Sequence, residues 1–280
     1  MILIMLALLQ AAATFRSPRL TESSGVAVSR THRGVLWSHN DSGDGPYVYA
    51  TDLAGADRGA LLIPGATAVD WEDMALGPCP ARSGDCLYFA DTGDNGERRP
   101  TVTVYAVPEP EPPVSPADTQ RTTAAPAVLR LRYPDGSHDV EAIYVSFRDS
   151  ALYLVTKGRS GAIRLYRVPA DDWRGGGDST VVASLVQDIP IAPEQSAGRW
   201  VTGAAMRPDG GLVAIRTYSE IYFFTPADAG RLSAASRPVC SVRGLEQQGE
   251  AIDFLDETTV VLTSEAGRGS PGTIHTVRCP

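Results

Sequence analysis

Short apolar runs separated by turn residues fill the chain, and no long window shows the 3.6-residue periodicity of an amphipathic helix. One kind of run begins with a polar residue and continues with small and branched apolar residues, as in "EAIYVS" at Glu141 and "EAIDFL" at Glu250. Related runs are "SGVAVS" at Ser24, "EDMALG" at Glu72 and "TGAAMR" at Thr202. Five spaced copies predict a repeated unit of β-structure.

Each copy is followed by a second apolar run, such as "CLYFAD" or "LYLVTK", and by a third, such as "VTVYAVP" or "IRLYRVP". Four copies add a fourth run, for example "ALLIPG" or "VVASLV". Four antiparallel strands per unit predict an all-β fold, a five-bladed β-propeller. The spare segment "TFRSPRL" is predicted to pair with the fifth unit and close the ring. Long inserts at 108–126 and 169–199 leave six blades as the alternative.

The N-terminus, "MILIMLALLQAAATF", combines a short apolar core with an A-x-A-like cleavage site at Ala11–Ala13. The pattern predicts a signal peptide over residues 1–13, a single propeller domain over 14–280, and a secreted or periplasmic protein. A transmembrane anchor is the alternative, but the apolar run is shorter than the ~20 residues that a span needs. We therefore expect no membrane association after cleavage.

Four cysteines, at positions 79, 86, 240 and 279, agree with export, because an even count in an exported chain favours disulfides. We predict the pairs Cys79–Cys86 and Cys240–Cys279. The alternative is a zinc site, which this spacing fits poorly because neither a second close pair nor a nearby histidine is present. The formal net charge of -8 argues against nucleic acid. A small-molecule ligand or substrate, anionic ones included, and a monomeric state are expected.

Position within the repeat predicts position in space. In a propeller blade the first strand lines the central channel, and the turn entering it lies near the end of the second strand. The polar residues expected to meet at one channel mouth are Asn40, Asp41, Glu72, Asp73, Asp91, Asp139, Glu141, Thr156, Lys157, Thr202, Arg216, Glu250, Ser264 and Glu265. On this view "DSGD" at 41–44 and "DTGD" at 91–94 form equivalent parts of one lip.

Carboxylates gathered in one pocket need a cation or must take up protons. The sequence therefore predicts Ca²⁺ or another divalent cation, held by Asn40, Glu72, Asp91 and Glu141. Compensation by Lys157 and Arg216 is a second solution that can coexist with the ion. The stretch "DTGDN" also fits an Asx-type turn or a direct substrate contact, and these alternatives stay open.

Lys157 is the only lysine in the chain, which suggests that an ammonium group is needed there. With Glu141, Arg216 and Glu250 it forms the predicted catalytic set of a divalent-cation-dependent hydrolase of an ester, lactone or phosphoester. One alternative is a non-catalytic propeller that binds a ligand or a protein. Another is a structural ring whose polar mouth satisfies its own charges.

The segments "VDWEDMALGP", "LYFADTGDN", "DVEAIYV", "LYLVTKG", "VTGAAMRPDG" and "GEAIDF" resemble those of a group of secreted bacterial β-propellers. That group is similar to the esterase-like domains associated with phytases and, more distantly, to the SMP-30/gluconolactonase propellers. The resemblance covers residues 14–280. It implies a divalent ion at the channel mouth, with Glu72, Glu141 or Glu250 matching the family's glutamate and Asn40 and Asp91 matching its other ligands.

Overall fold

The computed structural model describes residues 5–6, 8–80, 82–117, 121–175, 179–267 and 270–279. Five sheets form a ring, because each inner strand contacts the inner strand of the next blade and the fifth contacts the first. The inner strands are Ser23–Val28, Trp71–Pro78, Val140–Val145, Val201–Met206 and Gly249–Phe254. This topology confirms the five-bladed propeller over the six-bladed alternative.

Each inner strand pairs antiparallel with a second strand, and each second strand with a third. The second strands are Leu36–Asn40, Asp85–Asp91, Leu152–Thr156, Val213–Thr217 and Thr259–Ser264. The third strands are Tyr47–Thr51, Val102–Pro108, Arg164–Val168, Glu220–Pro226 and Thr273–Arg278. The outer strands are Ala60–Leu62, Ala127–Arg132, Ser184–Asp188, Cys240–Ser241 and Leu8–Thr14. Three shorter strands extend the outer edges (Met5–Leu6, Thr180–Val182 and Leu232–Ala234), and 3₁₀ helices occupy Ala170–Gly175, Gln195–Ala197 and Asp228–Gly230.

The hydrophobic core lies between adjacent blades. One apolar cluster joins Tyr88 and Val104 of blade 2 to Ile143 and Leu154 of blade 3. Inner strands are therefore covered on both faces, which explains why their sequences are almost continuously apolar after the first polar position. The described part of the chain contains no helix long and apolar enough to cross a bilayer.

Ring closure uses a strand earlier in the chain than "TFRSPRL". Leu8–Thr14 pairs antiparallel with the third strand of blade 5. Residues after Thr14 form no ladder with that blade but make single backbone hydrogen bonds, from Phe15 N–H to Gly272 O at 3.0 Å and from Ala266 N–H to Thr21 O at 2.7 Å. The closing strand thus overlaps residues 1–13 of the predicted signal peptide. Phe15 and Leu20 are buried, so the segment downstream of the predicted cleavage site also anchors the N-terminal side of the domain.

The insert after blade 3 differs from expectation. "VVASLV" was predicted as one outer strand, but Thr180–Val182 runs parallel to the outer strand of blade 2 and only Ser184–Asp188 completes blade 3. Ala183 is buried at the junction, where the chain passes from one blade to the other. Both predicted disulfides are confirmed. Cys79–Cys86 closes the first hairpin of blade 2, and Cys240–Cys279 joins blades 4 and 5.

A register shift recurs at the start of every inner strand. It falls between Ser23 and Gly25, Trp71 and Met74, Val140 and Ala142, Val201 and Gly203, and Gly249 and Ala251. The residues left out of the ladder are Ser24, Glu72, Asp73, Glu141, Thr202 and Glu250. Such β-bulges redirect side chains. Every blade therefore presents a polar residue at the same height, near the entrance to the channel.

Candidate functional site

Three of the five bulges carry a glutamate: Glu72, Glu141 and Glu250, all at least nine-tenths buried. Burial raises the pKa of Glu72 well above its ordinary value, and the charges of Glu141 and Asp41 raise it further. Burial followed by repulsion from Glu141 and Glu265 has the same effect on the pKa of Glu250. The three carboxyl groups therefore form one electrostatic unit, although they are far apart in sequence. We call this region the acidic mouth.

Lys157 is the positive charge at the centre of the acidic mouth. Its Nζ donates to Glu141 Oε1 at 2.6 Å, and both side chains are buried. Burial opposes the charge on Lys157, but Glu141, Glu72 and Asp139 outweigh that effect and raise its pKa. Burial also raises the pKa of Glu141 to about 7, against the attraction of Lys157. Lys157 therefore stays protonated while Glu141 can exchange a proton near neutral pH.

Further carboxylates surround this pair. One oxygen from each of Glu72, Asp139 and Glu141 lies within 4.8 Å of the others, and the same holds for Asp41, Asp70 and Glu72. Burial and then the charge of Asp41 raise the pKa of Asp70 to about 6. Glu72 belongs to both groups and connects them.

Glu72 is buried and forms no ion pair with a described residue, and the charge of Lys157 offsets its own only in part. No described residue donates a hydrogen bond to its carboxylate, whereas Asp139 pairs with Arg159 and accepts the Asp94 N–H at 2.8 Å. The glycine of "DTGDN" explains how Glu72 fits, because a Cβ on Gly93 would lie 2.0 Å from Glu72 Oε1. The turn is thus shaped around the glutamate and leaves its oxygens available to a ligand.

Asn40 and Asp91 lie on the predicted strand ends, but their polar atoms are used elsewhere. Asn40 Oδ1 accepts the backbone N–H groups of Thr21 and Glu22, and its Nδ2 donates to Arg19 O and Asp44. Asn40 therefore fixes the N-terminal segment to blade 1.

Asp91 holds a turn in a similar way. Its Oδ1 accepts from Arg99 at 2.9 Å and from the Asp70 N–H at 3.1 Å, and its Oδ2 accepts the Val69 N–H. Asp91 positions the loop that carries Asp70, which contributes to the acidic mouth in its place.

Arg216 turns away from the acidic mouth. Its guanidinium is fully buried and donates to Ala251 O at 2.8 Å and to Glu246 at 2.7 Å. These contacts join blade 4 to blade 5. Of the predicted catalytic residues, the structure brings together Glu141, Lys157 and Glu250 but not Arg216.

Two residues of the site escaped the sequence analysis. Asp70 precedes the blade 2 inner strand in "VDWED", and this second carboxylate beside Glu72 is the signal that was available. Tyr218 lies in the tight turn after the second strand of blade 4. Burial and the charges of Glu250 and Glu141 raise its pKa, which places the phenol at the acidic mouth. The available signal is its place in the repeat, because Tyr218 directly follows the second strand as Lys157 does in blade 3.

No family model and no curated protein matches the chain. Among solved structures it is similar to the β-propeller domain of Cps50 (Swd1) from Myceliophteria thermophila, with 13% identity over 98% of this chain and 100% of that one, and a TM-score of 0.46. It is also similar to U3-55K, with 15% identity, coverage of 91% and 67%, and a TM-score of 0.43. The WD40 repeats of RRP9 give 15% identity, coverage of 92% and 67%, and a TM-score of 0.42.

Proposed function

We propose that this protein is a binding propeller whose acidic mouth holds a divalent cation, with Ca²⁺ the first candidate. The observation that carries the proposal is the buried carboxylate of Glu72, which has no hydrogen-bond donor among the described residues and lies between two groups of carboxylates. A buried charge without a partner is costly, so it must take up a proton or meet a cation. A cation therefore suits this pocket better than an anionic substrate does.

The donor set fits Ca²⁺. Calcium prefers six to eight oxygen ligands, with carboxylates prominent among them. Glu72, Asp70 and Asp41 supply oxygens at mutual distances suited to one ion, and Glu141 and Asp139 extend the set. Lys157 forms an ion pair with Glu141 at 2.6 Å, and its charge offsets that of Glu72 only in part. The expected ligands are therefore Glu72, Asp70 and Asp41, which replace Asn40 and Asp91 of the sequence prediction.

Calcium titration of the purified protein tests this proposal. We expect Ca²⁺ to raise the melting temperature at pH 8, because a ligand that binds only the folded state stabilises it. Glu72→Gln removes the charge but keeps the shape, so it should abolish the increase. Glu111→Gln, which alters an exposed acid in the insert, is the matched control and should leave the increase intact. An equal increase in all three proteins would contradict the proposal.

A second candidate function is hydrolysis of an ester, lactone or phosphoester at the same mouth. One observation favours it: the pKa of Glu141 is about 7, which suits a general base at neutral pH, and Lys157 holds its carboxylate in place. Binding without catalysis nevertheless remains our principal proposal, because Arg216, the second cation expected to meet an anionic oxygen, lies outside the pocket.

A panel of model esters, lactones and phosphoesters, assayed with added Ca²⁺, distinguishes the two functions. Catalysis requires turnover that Glu141→Gln lowers by at least about a hundredfold, the lower range for loss of a general base. Binding alone predicts no turnover above the Glu141→Gln background on any of these substrates, together with an intact calcium-dependent rise in melting temperature.

A further inference from the structure

A groove of about 440 Å³ opens between blades 3 and 4. Its lining residues Tyr144 and Met206 lie near the C-terminal ends of the inner strands, whereas the acidic mouth lies at the N-terminal ends. Its polar lining includes Tyr144, Arg148, Asp149, Tyr153, Arg167 and Asp228. We call it the blade 3–4 groove. Its volume lies within the range of small-ligand sites, about 300–1,000 Å³.

Two tyrosines form one wall of this groove. Tyr144 and Tyr153 are opposite each other in the ladder, and their rings are stacked with centroids 4.7 Å apart. The Tyr153 hydroxyl accepts from Arg167 at 3.2 Å. The Tyr144 side chain is only 1% exposed, and its hydroxyl makes no hydrogen bond to a described residue. The hydroxyl is therefore available for a hydrogen bond to a ligand in the groove.

Some of the charged side chains in the groove pair with each other, and others do not. Arg167 donates to Asp149 at 2.8 Å, so these two side chains neutralise each other. Arg148 donates to the backbone oxygen of Pro226 at 3.1 Å but forms no ion pair within the described chain. Asp228 likewise has no ion pair with a described residue. One positive and one negative charge in the same groove are therefore left for a ligand.

The remaining lining is apolar except for Ser146, and part of the backbone in and beside it is strained. Met206 and Leu232 are buried at the base of the groove. Ala229 lines it with a φ of 55°, and Ser150, next to Asp149, has a φ of 56°. Non-glycine residues rarely adopt this left-handed conformation, and such strain concentrates at functional sites.

We propose that the blade 3–4 groove binds a small zwitterion, a free α-amino acid with an apolar or aromatic side chain. Its carboxylate meets Arg148, its ammonium meets Asp228, and its side chain packs against the tyrosine wall, with the Tyr144 hydroxyl as a further hydrogen-bond partner. A charge-assisted hydrogen bond contributes about 1.5–3 kcal/mol, so each ionic contact is worth at least about tenfold in affinity. The proposal stands apart from the cation proposal, because the two sites share no residue.

Three probes of similar size test the proposal by calorimetric titration of the full chain. L-phenylalanine carries both charges, 3-phenylpropionate lacks the ammonium and phenethylamine lacks the carboxylate. We expect L-phenylalanine to bind about tenfold more tightly than either analogue. Arg148→Gln should reduce its affinity to that of phenethylamine, and Asp228→Asn to that of 3-phenylpropionate. Arg58→Gln, which removes another partly exposed guanidinium from blade 1, is the control and should change nothing.

Tyr144→Phe separates a binding role from a structural one. It should weaken L-phenylalanine binding about threefold and leave the melting temperature unchanged, because the hydroxyl has no partner in the protein. Glu72→Gln should leave L-phenylalanine binding intact, which distinguishes this groove from the acidic mouth. The proposal is wrong if L-phenylalanine does not bind, if the three probes bind equally, or if Arg148→Gln and Arg58→Gln behave alike.

Discussion

Blades 1 and 4 differ from blades 2, 3 and 5 at one position, the bulge that opens each inner strand. In blades 1 and 4 the bulge carries a hydroxyl. Ser24 Oγ donates to the backbone oxygen of Glu72 at 2.5 Å, and Thr202 Oγ1 donates to that of Gly249 at 3.0 Å. In the other three blades it carries a glutamate that takes part in the acidic mouth. The same backbone feature therefore joins neighbouring blades in one case and builds a site in the other.

Side-chain length accounts for this difference. A serine or threonine at the bulge reaches only the neighbouring inner strand, where a backbone carbonyl accepts its hydrogen bond. A glutamate is two carbons longer than serine, so its carboxylate lies beyond that strand, among other carboxylates. Hydroxyl bulges thus contribute ordinary hydrogen bonds of about 1 kcal/mol, whereas glutamate bulges carry a desolvation cost that a cation or a proton must offset.

Removing the internal cation should have the largest effect. Lys157→Met leaves Glu141 buried without its 2.6 Å partner, so we expect the free energy of unfolding at pH 8 to fall by about 3–5 kcal/mol. Urea denaturation measures the change. Adding Glu141→Gln to Lys157→Met should recover most of the loss, because the uncompensated charge is then gone. Equal stability of the single and double variants would show that the pair is not coupled.

The pH dependence should be the next largest effect. The pKa of Glu141 is raised to about 7 and that of Glu265 to about 7, both mainly by burial. A carboxyl group whose pKa is raised on folding contributes stability that is complete below its unfolded pKa and lost as the pH rises through its folded pKa. Without added cation, the free energy of unfolding should therefore decrease between about pH 5 and pH 8, by on the order of 3 kcal/mol for Glu141 alone.

One variant and the addition of Ca²⁺ test this pH prediction further. Glu141→Gln should flatten the decrease, and added Ca²⁺ should restore stability at pH 8 in the unmodified protein. The carboxylates whose pKa is lowered, such as Asp52 and Asp209, lose their contribution only below their ordinary pKa and do not affect this window. Urea midpoints at a series of pH values provide the measurement. A flat profile in the unmodified protein would exclude proton uptake at the acidic mouth.

The sequence was sufficient to predict the ring because strand repetition is a long-range signal. Apolar runs opened by Glu72, Glu141 and Glu250 have no local reason to recur, and only a shared environment requires it. The outer strands carry a weaker signal, since they are short and half-exposed. For this reason the sequence predicts closure by "TFRSPRL", whereas Leu8–Thr14 closes the ring. It likewise predicts one outer strand at "VVASLV", whereas Thr180–Val182 joins blade 2 and Ser184–Asp188 completes blade 3.

The candidate site residues also differ in how well the repeat predicts them. Position in the repeat predicts where a Cα lies, and the structure brings Glu72, Glu141, Lys157 and Glu250 together. It does not predict where a side chain points. Arg216 pairs with Gly203 in the ladder, which is the position of Val155 in blade 3 and not that of Lys157. Its guanidinium lies between blades 4 and 5, where Glu246 of a distant loop accepts from it. Such loop partners cannot be read from periodicity.

The smallest expected effect belongs to the hydroxyl bulges. Thr202→Val keeps the shape of the side chain but leaves the Gly249 carbonyl without its 3.0 Å donor, so we expect a loss of about 1–2 kcal/mol in the free energy of unfolding. The calcium-dependent rise in melting temperature and the slope of stability between pH 5 and pH 8 should both match the unmodified protein, because no charge at the acidic mouth has changed. If Thr202→Val instead alters either property, the hydroxyl bulges are part of the acidic mouth, and the division between blades that join neighbours and blades that build the site does not hold.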